Sequence, residues 1–193
     1  REKKSSNSGS LPEKMPDCPF CPGNEKMLPN INFELKDINK NNWFTRAVPN
    51  KFPALATDED IKGGNNGIYL TASAFGWHEV IIETPFHNHD IPFMSLKQLG
   101  KVIETYWQRY RFLQDNYPDI LNIILFRNHG SGSGTSLIHP HAQLIGTPII
   151  PKYIHDKEKV AKKYYHNNNS SALCDIIENE SNDSQRVVYE NES

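Results

Sequence analysis

One long amphipathic segment limits what this chain can fold into more than any other feature. Ser95 and Gln98 have the spacing of a capping box, which marks the start of a helix. Apolar residues then recur at steps of three and four positions, as Leu96, Leu99, Ile103, Tyr106, Tyr110 and Leu113. Asn116, Tyr117 and Pro118 end the pattern. The sequence therefore predicts a helix whose single apolar face must pack against another layer.

Short segments rich in β-branched and aromatic residues are the candidates for that layer. Residues 43–48, 68–72 and 78–84 predict strands before the helix, and residues 62–67 between them are rich in turn formers. After the helix, residues 120–126 are too apolar and β-branched for anything but a buried strand. A further short strand is predicted at 138–145.

Composition excludes several classes of protein. The 193 residues are 37% hydrophobic with a net charge of −2, which suits a folded domain and gives no excess of positive charge for nucleic acid. No apolar run reaches the roughly 20 residues of a membrane-spanning helix, and no signal peptide is recognisable. We therefore expect a cytoplasmic protein that partners neither nucleic acid nor a membrane.

The chain is predicted to have three parts. Residues 1–17 are polar and without periodicity, which predicts a flexible arm or a covering loop. Residues 18–151 hold the strands, the long helix and the motifs described below. Residues 152–193 predict a helical extension, with helices at 154–165 and 173–180 and the start of a strand at 186–189. Such a late strand indicates that the sequence belongs to a longer protein.

The sharpest motif is His139-Pro140-His141-Ala142-Gln143. In a strand, a period of two places His139, His141 and Gln143 on one face. A neutral imidazole is a competent nucleophile at neutral pH, and a carboxamide can donate to a phosphate oxygen without adding charge. The simpler alternative is a polar strand at the edge of a sheet.

A glycine-rich loop, residues 128–135, comes directly before this motif. Its glycines would allow backbone N–H groups to approach a phosphate closely. The loop lacks the Gly-Lys-Ser/Thr ending of a nucleoside triphosphate loop, and it leads into a strand rather than a helix. By itself it is equally compatible with a flexible hairpin.

Cys18 and Cys21 form a Cys-Pro-Phe-Cys motif that has three interpretations. A redox pair needs a helix after the first thiol, and Pro22-Gly23 breaks any helix there. A zinc knuckle would combine two thiolates with two distant imidazoles. A zinc module that binds nucleic acid would need more basic and aromatic neighbours than Phe20 and Lys26.

Taken together, these motifs resemble the histidine triad superfamily in its galactose-1-phosphate uridylyltransferase branch. The resemblance covers nearly the whole chain, and its motifs occur in the family's order at residues 18–25, 50–55, 76–85, 126–128 and 139–143. It implies an α+β fold, in which an antiparallel sheet curves into a half-barrel with helices packed on one side. It also implies a second such unit, in the same chain, beyond residue 193.

The resemblance further implies the roles of individual residues. His141 would be the nucleophile, and Gln143 would contact the transferred phosphate. The substrate would be lined by Arg1, Asn50, Phe52, Asn128, Gly134, Thr135 and Ser136. The ligands of a structural zinc, or alternatively iron, would be Cys18, Cys21, His87 and His139. His89 could replace His87, while His78 and His129 are expected to be ordinary surface or capping groups.

The implied activity moves UMP from UDP-glucose to galactose 1-phosphate through a nucleotidyl-histidine intermediate. The alternative is a relative that moves AMP, such as an ADP-sugar phosphorylase. Lys51 keeps this alternative open, because some uridylyltransferases have an acidic residue at that position. The resemblance also implies a homodimer, in which the neighbouring subunit completes the sugar site.

Overall fold

A five-stranded antiparallel sheet forms the centre of the computed structural model, which describes residues 11–37, 42–58, 60–130 and 132–190. Its strands are β1 (Phe33–Asp37), β2 (Asn42–Pro49), β5 (Trp77–Ile82), β6 (Asn122–Phe126) and β7 (His141–Thr147). They lie in the order β1-β2-β5-β7-β6. A separate hairpin pairs β3 (Gly63–Asn66) with β4 (Tyr69–Ala72).

The predicted amphipathic helix is present as α1, Leu96–Asn116. The Ser95 hydroxyl accepts a hydrogen bond from the Gln98 backbone N–H at 3.2 Å, as a capping box requires. The Gln98 side chain does not complete that box. Its Nε2 donates instead to the carbonyls of Phe44, at 2.7 Å, and Glu83, at 2.6 Å. The first turn of α1 is thereby fixed to β2 and to the residue just past β5.

Both faces of the sheet are covered, since successive side chains of a strand point to opposite sides. The face towards α1 is apolar, and its buried cluster contains Ala47, Ile81, Leu113, Ile120, Ala142 and Leu144. The opposite face carries a second buried cluster, with Cys18, Phe20, Cys21, Trp43, Val48, Val80 and Ile82. An antiparallel sheet with a helix packed on one face confirms the predicted α+β fold.

The layer between the sheet and α1 also contains a buried ion pair. Arg109 of α1 donates to both carboxylate oxygens of Glu79 in β5, at 2.8 and 3.0 Å. Asn32 donates to the same carboxylate at 3.0 Å. Both charged side chains are almost fully removed from solvent, so each depends on the other for compensation.

Several predicted strand boundaries were wrong. β1 and β3 were not expected, because residues 33–37 are partly charged and residues 63–66 read as a turn. Residues 120–126 do contain a strand, but β6 is half exposed because it lies at the edge of the sheet. The predicted strand at 138–145 begins only at His141, since Pro140 has no N–H to give to a ladder.

The chain divides into two compact units, and the boundary lies between Ile149 and Ile150. The second unit contains α2 (Lys152–Asn168) and α3 (Ala172–Asp183), as predicted from the sequence. The strand expected at residues 186–189 is absent, because none of the described strands pairs with it. Within the described residues, no helix combines the length and the apolar character that crossing a bilayer would require.

Candidate active site and metal cluster

The His-Pro-His-Ala-Gln motif places its two histidines in different environments. His139 lies just before β7, and its side chain is completely buried. His141 and Gln143 lie on β7 itself, two residues apart, so their side chains share one face of the sheet. His139 itself lies outside the strand, which starts after Pro140, but its ring contacts Phe20 on the same side of the sheet as the His141 ring.

The ring of His141 is held by its own chain. Its Nδ1 donates a hydrogen bond to the His139 carbonyl at 2.8 Å, as expected for a tight His-Pro-His segment. The neutral ring therefore keeps its proton on Nδ1 and has its lone pair on Nε2. Burial lowers the pKa of His141, and the nearby Arg127 guanidinium lowers it further. A nucleophilic nitrogen is thus available at neutral pH.

Two cavities meet at His141. The larger has a volume of about 590 Å³. Besides His141, its walls include six of the residues predicted to bind the nucleotide or carry the reaction, namely Asn50, Phe52, Gly134, Thr135, Ser136 and Gln143. Pro19, Phe20 and Met27, from the region of the Cys-Pro-Phe-Cys motif, add an apolar wall. The Phe20 ring also packs edge-on against the His141 ring, with 5.3 Å between centroids. We name this space the nucleotide cavity, after the binding role that the sequence predicts for these residues.

The second cavity, of about 440 Å³, lies on the other side of His141. Its walls carry Arg127, Asn128 and His129, together with Asp90. Asn128, predicted to contact the nucleotide phosphates, therefore lies in this second cavity and does not line the nucleotide cavity. Thr135, Leu137 and His141 belong to both, so the two spaces meet at the end of the glycine-rich loop.

The four predicted metal ligands do converge. Ligand atoms of Cys18, Cys21, His87 and His139 all lie within 4.8 Å of one another, and all four side chains are buried. The Nδ1 atom of His139 is 3.7 Å from the Cys18 sulfur and 3.6 Å from the Cys21 sulfur. His87 Nδ1 is also 3.6 Å from the Cys21 sulfur.

These sulfur–nitrogen distances match the distances between neighbouring ligand atoms around a tetrahedral zinc ion. With zinc–sulfur bonds of about 2.3 Å and zinc–nitrogen bonds of about 2.0–2.1 Å, a sulfur–nitrogen edge is about 3.6 Å. His139 Nε2 donates to the Thr84 carbonyl at 2.8 Å, which turns its Nδ1 towards the thiols. Burial raises the pKa of Cys18 to about 11 and lowers that of His139 to about 4. The residues fit a closed four-ligand site. The alternative ligand His89 is not part of this cluster, and its ring is tilted against Phe86, with 4.8 Å between centroids.

The chain before the first cysteine is tied to this cluster. The Leu11 carbonyl accepts a hydrogen bond from the Asn88 side chain at 2.8 Å, and the Glu13 carbonyl accepts one from the His87 N–H at 2.8 Å. This part of the predicted arm therefore lies against the loop that carries His87. Arg1 and the rest of residues 1–10 are outside the described part of the chain.

Two groups of site residues were not predicted. The first is His78, which hydrogen-bonds Gln143 at 2.8 Å although it was expected to be a surface group. Its period-two spacing from Val80 was the signal that could have placed it on this face.

The second group is centred on Arg127, which forms an ion pair with buried Glu83 at 2.8 Å and another with Asp90 at 2.7 Å. Tyr106 of α1 also donates to Glu83, whose pKa is raised by burial.

Comparison with known proteins connects this geometry to one family. Residues 1–151 match the family model described as galactose-1-phosphate uridyl transferase, N-terminal domain. An ADP-glucose phosphorylase of Arabidopsis thaliana is 28% identical, over 88% of this chain and 49% of its own length. A galactose-1-phosphate uridylyltransferase of Thermotoga maritima is 30% identical, over 91% of this chain and 51% of its own length.

Solved structures give the same result for the fold. The crystal structure of an Arabidopsis thaliana ADP-glucose phosphorylase with bound ADP-glucose is 25% identical, with a TM-score of 0.71 over 83% of this chain and 50% of that chain. A structure titled uridylyltransferase has a TM-score of 0.74, and at 24% identity it supports the fold alone. The chain spans about half the length of the curated relatives it matches.

Proposed function

Because the chain belongs to the galactose-1-phosphate uridyl transferase family, we propose that it takes a nucleoside monophosphate from a nucleotide sugar onto His141. The proposed reaction moves UMP from UDP-glucose to galactose 1-phosphate. One observation carries it: His141 donates from Nδ1 to the His139 carbonyl, so its free Nε2 is the nucleophile where the nucleotide cavity and the second cavity meet. One relative is named as a uridylyltransferase and another as an ADP-glucose phosphorylase, which supports nucleotidyl transfer as the general reaction.

The proposed first step forms one bond and breaks one. Nε2 of His141 attacks the α-phosphorus, and the bond from that phosphorus to the bridging oxygen breaks, so that glucose 1-phosphate leaves with the electron pair. Positive charge develops on the imidazole, and the His139 carbonyl stabilises it through the Nδ1–H bond. Gln143 would donate an amide N–H to a non-bridging phosphate oxygen. In the second step, a phosphate oxygen of galactose 1-phosphate attacks the same phosphorus, the bond from that phosphorus to Nε2 breaks with its electron pair returning to the ring, and UDP-galactose leaves free His141.

The proposed binding roles follow the walls of the cavities. Asn50 and Phe52 would contact the nucleoside, and Gly134, Thr135 and Ser136 would contact the ribose and phosphates. Asn128 would act from the second cavity, where the departing and arriving sugar phosphates would pass. A second unit beyond residue 193 and a neighbouring subunit would complete the sugar site.

We propose zinc as the metal of the Cys18, Cys21, His87 and His139 cluster, with iron as the alternative. A closed set of two thiolates and two imidazoles leaves no position for substrate, so the metal would have a structural role. When bound, it would fix His139, whose carbonyl orients the nucleophile. Elemental analysis of purified protein would distinguish the two metals, and a metal-free folded protein would contradict the proposal.

Transfer of AMP is a second candidate, favoured by the phosphorylase among the relatives. Lys51, which lines the nucleotide cavity, is the position where the sequence departs from some uridylyltransferases. Both candidates share His141, so one experiment tests the chemistry and separates the donors. The protein is incubated with UDP-glucose or ADP-glucose, and intact-protein mass spectrometry then measures an added UMP or AMP.

We expect an adduct from one donor, mapped by peptide sequencing to His141, and none in His141→Ala. His155→Ala, an exposed histidine of α2, is the matched control and should label normally. Equal labelling of His141→Ala and wild type would refute the nucleophile. Labelling by ADP-glucose alone would replace UMP transfer with AMP transfer.

A further inference from the structure

Three polar side chains, from β5, from β7 and from the end of β2, meet at the carboxamide of Gln143, beside the nucleotide cavity. Asn50 directly follows β2, His78 lies on β5, and Gln143 lies on β7. In the register of the sheet Val80 faces Gln143, so His78 is its diagonal neighbour and can reach it. The His78–Gln143 contact is 2.8 Å between Nε2 and Oε1, and Asn50 Nδ2 is 3.3 Å from the same oxygen.

The backbone settles which nitrogen of His78 carries the proton. The Ala54 N–H points at His78 Nδ1 at 3.0 Å, and a backbone N–H can only donate. Nδ1 is therefore the acceptor, and the neutral ring holds its proton on Nε2. That proton faces Gln143, so the atom of Gln143 that it meets must be the carboxamide oxygen.

Asn50 independently gives the same orientation. Its Oδ1 accepts a hydrogen bond from the Phe52 N–H at 2.9 Å, which leaves its Nδ2 as the group that faces Gln143. Donors from His78 and Asn50 thus both lie within hydrogen-bond distance of Gln143 Oε1, and the two donor nitrogens are 3.0 Å apart on the same side of that oxygen. Gln143 Nε2, with its two hydrogens, has no hydrogen-bond acceptor among the described residues and lies beside the nucleotide cavity.

We infer that His78 is a positioning residue, which holds the Gln143 carboxamide with its N–H groups turned towards the transferred phosphate. Without this hold, the amide of Gln143 could rotate by 180° and present its oxygen to an anion. His78 also anchors the loop that carries Phe52, since it binds Ala54 through Nδ1 and its carbonyl accepts from the Asn50 N–H at 3.0 Å. The inference rests on the proposed function for its consequence in catalysis, but not for its geometry.

Two substitutions test the roles of the two His78 nitrogens individually. In His78→Asn, the side-chain oxygen can still accept from Ala54, while the donor to Gln143 is lost. In His78→Gln, a longer amide can still donate towards Gln143. For each variant, single-turnover nucleotidylation of His141 and the dissociation constant of the donor are measured separately. Both are repeated with Gln143→Met, which retains the size of the side chain but has no group to position.

We expect His78→Asn to slow nucleotidyl transfer by about 3- to 10-fold, the range of one lost hydrogen bond. Donor affinity should change by less than the transfer rate, and His78→Gln should recover part of the rate. In the Gln143→Met background, His78→Asn should have almost no further effect. An equal slowing in both backgrounds would overturn the inference, because His78 would then act through the fold rather than through Gln143.

Nuclear magnetic resonance tests the geometry without any reaction. Long-range ¹H–¹⁵N correlation of the His78 ring should show the proton on Nε2, and a proton on Nδ1 would overturn the inference. If the wild-type protein forms no nucleotidyl adduct with either donor, the proposed function fails. The tautomer of His78 then decides the positioning inference by itself.

Discussion

The buried pair of Glu79 and Arg109 makes a strong prediction about stability. In Arg109→Met, the carboxylate of Glu79 loses both guanidinium hydrogen bonds and retains only the one from Asn32. Glu79 is fully buried, so water cannot replace the lost partner. Leaving one member of a buried ion pair uncompensated costs about 3–5 kcal/mol in the free energy of unfolding. The lost contact of the guanidinium with the Phe112 ring, at 4.3 Å, acts in the same direction.

Urea unfolding followed by tryptophan fluorescence measures this loss. With a slope of about 2 kcal/mol per molar urea, the midpoint should fall by about 2 M. Arg111→Met is the matched control on the same helix, because Arg111 pairs with Asp115 at the exposed surface, at 3.2 Å. Such a pair contributes about 0–1 kcal/mol, so the control should unfold near the wild-type midpoint.

The double variant Glu79→Met/Arg109→Met distinguishes a lost charge partner from lost packing. Two apolar side chains leave no buried charge, so the double variant should be more stable than Arg109→Met alone. If Arg109→Met unfolded within 1 M urea of the control, or the double variant were the weaker one, the argument from uncompensated charge would be refuted.

Three further predictions concern the backbone and the metal. A Cβ at Gly76, whose φ is +156°, would lie 2.4 Å from the Gly146 carbonyl oxygen, so Gly76→Ala should lower the free energy of unfolding by at least ~1–3 kcal/mol, measured by urea unfolding. Gly100→Ala, inside α1 with open space around it, should raise that free energy by about 0.5–1 kcal/mol in the same assay, and a decrease would contradict the packing of α1. A strong chelator should lower the thermal unfolding midpoint of the wild type, measured by circular dichroism, and zinc should restore it. Cys18→Ser should not respond to the chelator, and an equal response in both proteins would refute the metal cluster.

The sequence was informative where one residue type has few compatible roles. The Cys-Pro-Phe-Cys motif indicated a zinc knuckle because paired thiolates have few other roles, and the resemblance supplied His87 and His139, whose ligand atoms do lie close to those of the two cysteines. The helix start at Ser95 followed from local capping chemistry, which acts within four residues. Asn50, Gln143 and Ser136 also came together as the resemblance implied.

Contacts between distant segments could not be predicted in this way. His78 gains its role from Ala54 and Gln143, 24 and 65 positions away, through the register of β5 against β7. Gln98 matched a capping box by spacing, but tertiary acceptors took its side chain. The edge position of β6 depends on strand order, which hydropathy alone does not encode.

The meeting of two cavities at a single imidazole has an evolutionary consequence. In the proposed reaction Lys51 would lie beside the base and His129 beside the departing phosphate, and these two residues border different spaces. A substitution on one side can therefore change which nucleotide is accepted without altering the opposite wall. New donors and new acceptors could be acquired one at a time, while the same nitrogen continued to carry the transferred group.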